Sequence, residues 1–160
     1  MKPIIKVIIQ AHNEADAITK VIHDIPDSVA EIIVVDNAST DSTSKNAKNA
    51  GATVLFEPKK GYGHACLKGI DYIENQKETT EIVVFLDGDY SDYPEELEKL
   101  IAPIIDNNVD FVLGTRARAL REKGAMQPQQ LFGNWLATTL MTLFFKSKFT
   151  DLGPFRAIKY

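Results

Sequence analysis

The chain has 160 residues, of which 44% are hydrophobic and 25% charged, and its net charge is −4. This length suits one domain with a buried core, and the composition is that of an ordinary globular protein. The acidic balance argues against broad nucleic-acid binding, which needs a basic face. Because Cys66 is the single cysteine, no internal disulfide can form, and a reducing cytoplasm is the expected setting.

Apolar runs along the first 114 residues alternate between the patterns of strands and helices. We predict strands at residues 4–9, 31–35, 53–56, 82–86 and 110–114. We predict helices at residues 15–25, from about 41 to 50, at 65–74 and at 94–105. Gly51 is the expected end of the second helix, and Pro94 fits the first turn of the fourth. This alternation predicts a doubly wound, mostly parallel α/β sheet with helices on both faces.

The segment after residue 114 differs in character. Arg116, Arg118 and Arg121 form a basic cluster with Lys123, whereas residues 124–145 contain no charge. Large apolar side chains recur at helical spacing between residues 131 and 145, a stretch too short and too polar to span a bilayer. Two interpretations stay open for this stretch: a buried core helix, or an amphipathic helix on a membrane surface beside the basic cluster.

Three polar clusters follow the first, second and fourth predicted strands, at residues 12–14, 36–41 and 87–89. The carboxyl ends of parallel strands share one edge of a sheet, so these clusters should converge on one crevice. That crevice would be lined by the carboxylates of Glu14, Asp36, Asp41, Asp87 and Asp89. Such acceptors suit the donors of a nucleobase, ribose hydroxyls and a metal ion.

The Asp87-Gly88-Asp89 segment can turn two hard oxygen ligands toward one divalent cation, Mg²⁺ or Mn²⁺. That cation would offset the charge of a diphosphate, which acidic residues alone would repel. The plainer interpretation is an acidic turn, where Asp and Gly are favoured for local reasons. The sequence contains no P-loop, no dinucleotide glycine motif after the first strand and no nucleophile elbow.

The order of these motifs resembles family 2 glycosyltransferases of the GT-A fold. The segments that carry the resemblance are Ala-His-Asn-Glu at 11–14, Val-Val-Asp-Asn-Ala-Ser-Thr-Asp-Ser-Thr at 34–43, Lys-Gly-Tyr-Gly-His-Ala at 60–65 and Asp-Gly-Asp at 87–89. Three later segments, at 93–97, 114–116 and 151–157, are similar to the polyprenyl-phosphate branch, which includes dolichyl-phosphate mannose and glucose synthases. The resemblance runs from residue 4 to residue 158.

The resemblance implies a donor pocket, a metal site and charged groups at the reacting phosphates. Donor contacts are implied for Ala11, Asn13, Glu14, Asp36, Gly61, Asp87 and Gly88. Asp36 would contact the base, Asp87 the ribose or the metal, and Asp89 would be the principal metal ligand. The implied catalytic residues are Asp89, Arg116 and Arg156, with both arginines contacting phosphate. Ser91 is a weaker candidate ligand, and a solvated basic turn is the alternative for Arg118 and Arg121.

The implied reaction moves a hexose with inversion from UDP-glucose or GDP-mannose to a polyprenyl or dolichyl phosphate, in the synthesis of cell-envelope glycans. A uridine donor and glucose are preferred, on resemblance alone. Asn37 departs from the second aspartate of many relatives, and Gly153-Pro154 replaces their usual Ser-Gly. Similar proteins continue beyond residue 160, so the expectation is one GT-A domain without their C-terminal part, either cytoplasmic or peripheral at the cytoplasmic membrane face. Homo-oligomerisation is left open.

Three other functions compete with this hypothesis. A sugar-1-phosphate nucleotidyltransferase should carry a glycine-rich, arginine-containing loop where this chain has residues 10–13. A haloacid-type phosphatase normally has its Asp-x-Asp pair after an early strand, whereas this pair lies in the middle of the chain. The serious alternative is a non-catalytic or truncated module that binds a nucleotide sugar without transferring the sugar.

Overall fold

A computed structural model of the chain describes residues 2–107, 109–114 and 153–160. The predictions for Arg116, Arg118, Arg121 and the 131–145 stretch therefore lie outside the described residues. The chain divides into two compact units, Met1–Val112 with Phe155–Tyr160, and Leu113–Pro154. All candidate site residues that the structure describes belong to the first unit. The prediction of a single domain over residues 1–160 stays a prediction.

The described strands form one six-stranded sheet. They are β1 (Ile5–Ala11), β2 (Glu31–Asp36), β3 (Thr53–Phe56), β4 (Ile82–Asp87), β5 (Phe111–Leu113) and β6 (Arg156–Lys159). Their order in the sheet is β3-β2-β1-β4-β6-β5. The first four pair with one another in parallel, and β6 runs antiparallel to β4. The predicted mostly parallel α/β sheet is confirmed, with β6 as an addition that the sequence did not predict.

The helices follow the predicted alternation, with changed boundaries. They are α1 (Ile18–His23), α2 (Thr43–Asn49), α3 (Tyr62–Glu74) and α4 (Leu97–Asn107), the last preceded by a 3-10 helix at Pro94–Glu96. α1 begins three residues later than predicted, and the Ala15 N–H before it donates to the Asp41 carboxylate (3.2 Å). Gly51 follows α2 with a φ of 94°, a conformation that glycine adopts without strain, as expected at a helix end.

Helices cover both faces of the sheet, as predicted. On one face Val7, Ile9 and Leu86 pack with the buried side chains of α1, α2 and α4. On the other face Ile8 and Val83 pack against α3. Strands buried on both sides need continuous apolar runs, and each buried side chain of this size stabilises the fold by about 1.5–3 kcal/mol.

Gly69 is the point where α3 approaches β1 most closely among the described glycines. A Cβ at this position would lie 2.7 Å from Cγ2 of Ile8, well inside van der Waals contact. Because Gly69 has no side chain, α3 can pack this close to β1. The same close packing determines where the amino terminus of α3 lies relative to the strand ends.

The amino edge of the sheet holds a buried polar cluster, called here the amino-edge network: Lys6, Glu31, Thr53, Tyr72 and Gln76. Lys6 is only 1% exposed, and its Nζ lies 3.1 Å from Oε2 of Glu31, its register partner on β2. The other three side chains also donate hydrogen bonds to the Glu31 carboxylate, at 2.9–3.0 Å. Burial acts to raise the pKa of Glu31, but these hydrogen bonds outweigh it and lower the pKa. The network is thus compensated in both charge and hydrogen bonding.

Membrane-spanning helices were sought over the described ranges. None of the helices found there has the length and apolar character needed to cross a bilayer.

Candidate active site

The carboxyl ends of β1, β2 and β4 lie side by side. Ala11 is in register with Asp36, and Gln10 with Asp87, so the two aspartates flank the end of the central strand. The Gln10 side chain donates a hydrogen bond to Asp87 Oδ1 (2.7 Å). The structure thus brings together the polar clusters that the sequence placed at separate strand ends. The carboxyl-edge cluster is defined by Glu14, Asp36, Asp41, Asp87 and Asp89.

The loop after β1 is fastened to the loop after β2 by side-chain and backbone hydrogen bonds. The Asn13 N–H donates to Ser39 Oγ (3.0 Å), and Asn13 Oδ1 accepts the Thr40 N–H (2.8 Å). His12 Nδ1 donates to the Asn37 carbonyl oxygen (2.8 Å). Asn13 remains exposed while its loop is held, so its side-chain amide borders the strand ends.

Asp36 is 4% exposed, and its carboxylate organises the loop after β2. Oδ1 accepts the Ser39 N–H (2.8 Å), and Oδ2 accepts the hydroxyl of Ser44. Asp41 precedes Ser42, the N-cap of α2, and its Oδ1 accepts the N–H of Thr43, the first residue of that helix (2.9 Å). Hydrogen bonds, that of the Thr43 hydroxyl first, lower the pKa of Asp41 and keep it ionised.

Asn37 shows why this chain departs from the second aspartate of many relatives. It is 5% exposed, and its Nδ2 donates to the carbonyl oxygens of Glu57 (3.1 Å) and Lys59 (2.7 Å). Its Oδ1 accepts the Gly61 N–H (2.7 Å). An aspartate could not donate to the two carbonyls, so the amide is what holds the 57–61 loop against β2. Gly61 itself has a φ of 133°, which restricts the position to glycine.

The loop after β4 carries the predicted metal ligands. Gly88 is buried, its N–H donates to the Gln10 carbonyl (3.0 Å), and a Cβ there would lie 3.1 Å from that oxygen and from the Ala11 Cβ. Glycine is therefore needed for the tight approach to β1. Asp87 is half-buried and Asp89 exposed, and Asp89 Oδ1 accepts the Ser91 N–H (2.9 Å). Ser91 thus contacts Asp89 through its backbone N–H.

Carboxylates near the ends of β1, β2 and β4 repel one another electrostatically. The pKa of Glu14 is raised, by burial first and then by the negative charges of Asp89, Asp41 and Asp87. The negative charges of three aspartates on the neighbouring strand ends and loops are therefore close enough to disfavour the ionisation of Glu14. Such a cluster is the electrostatic opposite of the amino-edge network.

The donor set fits a divalent cation shared with phosphate. In the described part of the chain, no three His, Cys, Asp or Glu side chains are grouped so as to hold a metal ion alone. Mg²⁺ and Mn²⁺ bound with nucleotides need no such cage, because one or two carboxylates and the phosphate oxygens complete their coordination. Asp87 and Asp89 offer such a pair, and a cation there would relieve the repulsion that raises the pKa of Glu14.

Backbone strain is concentrated at the same edge. Among the described non-glycine residues, positive φ occurs at Asn13 (60°), Ala38 (60°) and Tyr90 (62°). These residues lie one in each of the loops after β1, β2 and β4. Left-handed backbone costs a residue with a Cβ roughly 1–2 kcal/mol, and such strain tends to gather at functional sites.

Arg156 enters this edge from β6, opposite Phe85. Its Nη2 donates to the Tyr62 hydroxyl oxygen (2.7 Å), and its Cζ lies 5.3 Å from the Tyr62 ring centroid and 5.4 Å from that of Phe85. Burial raises the pKa of Tyr62 and of the neighbouring Cys66 thiol, so both stay protonated near neutral pH. Of the predicted catalytic residues, Arg156 and Asp89 are described, and Arg116 lies outside the described residues.

Sequence reasoning assigned no site role to Gln10 or Tyr62 and no structural role to Asn37. Gln10 is in register with Asp87, a relation that appears only once the strands are paired. In the segment at 60–65 the sequence pointed to Gly61 alone. α3 begins at Tyr62, three residues before the predicted start at residue 65, so the place of Tyr62 in the first turn of that helix was not visible in the sequence.

The pattern of the family described as glycosyl transferase family 2 matches residues 6–159. Protein RfbJ of Shigella flexneri is 38% identical over 114 residues, which are 70% of this chain and 84% of that protein. Glycosyltransferase AglJ of Haloferax volcanii is 30% identical over 148 residues, which are 91% of this chain and 46% of that protein.

Among solved structures, glucosyl-3-phosphoglycerate synthase of Mycobacterium tuberculosis in complex with Mn²⁺, UDP-glucose and phosphoglyceric acid is similar, with a TM-score of 0.76 and 24% identity. The match covers 98% of this chain and 57% of that chain. The chain thus spans about half the length of AglJ and of the solved enzyme. At this identity the likeness shows the fold alone, and it confirms the GT-A architecture that the motifs implied.

Proposed function

The chain belongs to glycosyl transferase family 2, and on that premise we propose that it transfers a hexose to a polyprenyl or dolichyl phosphate. The donor is a nucleoside-diphosphate sugar, with UDP-glucose preferred over GDP-mannose. An oxygen of the acceptor phosphate attacks the anomeric carbon while the bond from that carbon to the nucleoside diphosphate breaks, which inverts its configuration. The observation that carries the proposal is the convergence of Glu14, Asp36, Asp41 and the Asp87–Asp89 pair on one edge of the sheet.

The carboxyl edge has the acceptors that a nucleoside requires. A nucleobase and a ribose present N–H and O–H donors, which pair with carboxylate and amide oxygens. Asp36 and Asn13 supply such oxygens on loops already fixed by hydrogen bonds, so little side-chain entropy is lost when the donor binds. In this proposal Asp36 contacts the base, Asn13 and Glu14 line the pocket, and Ala11, Gly61 and Gly88 allow close backbone approach.

Asp87 and Asp89 would hold the Mg²⁺ or Mn²⁺ ion. When bound, that ion supplies Lewis-acid stabilisation of the charge that develops on the departing diphosphate. Asp87 is oriented by Gln10 and Asp89 by the Ser91 N–H, so both carboxylates are aimed before the nucleotide arrives. Gly88 keeps the two aspartates on a turn packed against β1.

The acceptor proposal uses the arginines. Arg156, from β6, and Arg116 would contact phosphate and bring two anionic substrates together. A phosphate acceptor is already ionised near neutral pH, so transfer to it requires no strong general base. A polyprenyl acceptor lies in a membrane, so the proposal includes a peripheral position at the cytoplasmic membrane face.

Nucleotide-sugar binding without transfer is the second candidate. It needs only the donor-site residues, all of which lie in the first compact unit. The two candidates share the donor site and differ in turnover.

The first test is thermal unfolding with UDP or GDP, in Mn²⁺ and then in chelator. Ligand at about 100 times its Kd should stabilise the chain by about 2.7 kcal/mol. A metal-dependent rise in Tm with one nucleotide, lost in Asp89→Asn and kept in the exposed control Asp71→Asn, supports the donor site. No rise with either nucleotide, from folded protein, contradicts both candidates.

Transfer is then measured with radiolabelled UDP-glucose or GDP-mannose and polyprenyl phosphate. Labelled lipid that forms with wild type and not with Asp89→Asn supports the transferase. Nucleotide binding without labelled lipid, at any enzyme concentration or with either donor, supports the binding module instead.

A further inference from the structure

Arg156 is held by three neutral contacts. Its guanidinium donates to the Tyr62 hydroxyl oxygen at 2.7 Å and lies over two aromatic rings, those of Tyr62 and Phe85, at 5.3 and 5.4 Å. The position is fixed from two sides, because Phe85 is on β4 and Tyr62 is in the first turn of α3. Half-buried and held in this way, Arg156 has few alternative conformations.

The charge of Arg156 is not cancelled by these contacts. The ion pairs found within the described ranges involve Lys6 and Lys99, and none involves Arg156. A guanidinium stays protonated at any physiological pH, so this group is a permanent cation. The contrast with Lys6 is direct, because Lys6 is buried against the carboxylate of Glu31.

The Tyr62 hydroxyl is suited to hold a cation without neutralising it. Burial raises its pKa, so it remains a neutral phenol, and it also hydrogen-bonds the Cys66 thiol. Arg156 is in register with Phe85, and Asp87 lies two residues beyond Phe85 on the same face of β4, so this cation and the carboxylate that ends β4 are near neighbours on the sheet. A cation beside the acidic cluster is where a phosphate would be received.

We propose that Tyr62 is a positioning residue that, with Phe85, holds the Arg156 guanidinium beside Asp87 to bind a phosphate monoester, that of the acceptor. This inference deepens the proposed function and rests on it. Phosphate is recognised by the parallel N–H donors of arginine, and those not directed at the Tyr62 hydroxyl or the Cys66 thiol are available for it. Tyr62 acts through Arg156 and does not itself contact substrate.

The test compares tyrosine variants on one helix. Tyr62→Phe keeps the ring and removes the hydroxyl, and Tyr62→Leu removes both. Tyr72→Phe is the matched control, because the Tyr72 hydroxyl on the same helix donates to Glu31 in the amino-edge network. We expect the KM for polyprenyl phosphate to rise about tenfold in Tyr62→Leu and about threefold in Tyr62→Phe, with the KM for donor unchanged. Tyr72→Phe should leave both constants unchanged.

A double-variant cycle separates positioning from a general structural effect. Arg156→Met should raise the KM for acceptor at least as much as Tyr62→Leu, and adding Tyr62→Leu to Arg156→Met should change nothing further. An equal loss from Tyr62→Leu in both backgrounds would overturn the proposal. So would an unchanged KM for acceptor in Tyr62→Leu when Arg156→Met raises it. If Tyr62→Leu does not fold, Tyr62→Phe against Arg156→Met gives the same comparison.

A binding measurement keeps this inference separable from the proposed transfer. The Tm of each full chain is measured against inorganic phosphate, with chloride at matched ionic strength. A phosphate-specific rise that is lost in Arg156→Met, reduced in Tyr62→Phe and kept in Tyr72→Phe supports the anion site even if no lipid product forms. No phosphate-specific rise in wild type, together with no effect of Tyr62→Phe on transfer, overturns it. A response to polyprenyl phosphate and not to inorganic phosphate assigns the site to the lipid headgroup.

Discussion

The two edges of the sheet differ in how their charged side chains are paired. At the amino edge, Lys6 is buried against Glu31, whose pKa is lowered by hydrogen bonds that outweigh its burial. At the carboxyl edge, Glu14 shares a crevice with three aspartates, and its pKa is raised. The backbone differs as well, since the strained residues found in the described ranges are all in the carboxyl-edge loops. Compensated charge stabilises the fold, whereas uncompensated charge and strain indicate where a ligand is expected.

The largest expected effect comes from breaking the amino edge with Glu31→Gln. The amide nitrogen would face the donors of Lys6 and Gln76, and Lys6 would keep only its longer ion pair with the exposed Glu78 (3.4 Å). We expect the free energy of unfolding to fall by about 2–3 kcal/mol, less than for a fully buried pair because Glu31 is partly hydrated. Urea unfolding of wild type and variant at neutral pH measures this difference in free energy. A change below about 0.5 kcal/mol would contradict the stabilising role given to this network.

The next effect tests the loop that borders the donor site. Asn37→Asp removes two donated hydrogen bonds and sets a carboxylate against the carbonyls of Glu57 and Lys59. We expect a loss of about 2 kcal/mol in the free energy of unfolding and faster proteolysis near residues 57–61. Limited proteolysis with mass spectrometry locates the cleavage. Cleavage no faster than in wild type would show that the amide does not hold this loop.

A smaller effect of opposite sign is expected from relieving strain. Ala38→Gly should stabilise the chain by about 0.5–1 kcal/mol, because the φ of 60° costs glycine nothing. Ala102→Gly, within helix α4 and directly before its Pro103, is the control and should destabilise by about 1 kcal/mol. Thermal unfolding of both variants measures the two changes in stability. The same sign for both substitutions would refute the strain at residue 38.

The smallest effect is at Glu14 and depends on pH. Its pKa is raised above 4.5, so wild type loses stability as pH rises from 4.5 through the folded-state pKa and Glu14 ionises among the aspartates. Glu14→Gln should remove that loss and be more stable at neutral pH by less than about 1 kcal/mol, since water screens a partly exposed group. The pH dependence at Glu31 has the opposite sign. Its contribution to the free energy of unfolding is fully present above pH 4.5 and is lost as pH falls through its lowered pKa. The free energy of unfolding of wild type and of both Glu→Gln variants is measured between pH 3 and pH 8. If the two substitutions changed its pH dependence in the same direction, the proposed difference in electrostatics between the two edges would be wrong.

Local pattern predicted most of the parallel part of the fold. Continuous apolar runs indicated β1 to β4, and the polar residues after each run indicated the edge at which they meet. The strand β6 was missed because Arg156–Lys159 carries a charge at each end, and its pairing with β4 depends on residues more than seventy positions earlier. Propensity cannot reveal a partner at that separation.

The sequence predicted which acidic residues belong to the candidate site, but it did not predict the side-chain contacts around them. The acidic residues followed from the strand ends, whereas the contact between Arg156 and Tyr62 joins positions 94 apart. The role of Asn37 was equally hidden, because two carbonyl acceptors determine it and every residue has a carbonyl. Such contacts depend on loop geometry that only the assembled fold defines.

The insertion of β6 between β4 and β5 has a consequence for synthesis on the ribosome. The parallel block of β1 to β4, with the acidic edge, can assemble as soon as its residues emerge, but β5 acquires its neighbour only after residues 156–159 are made. The nascent chain therefore completes these carboxylates before it receives the Arg156 cation. A chain that stalls before residue 156 would present the acidic edge without Arg156, so the part of the acceptor affinity that depends on Arg156 would arise only once β6 pairs with β4.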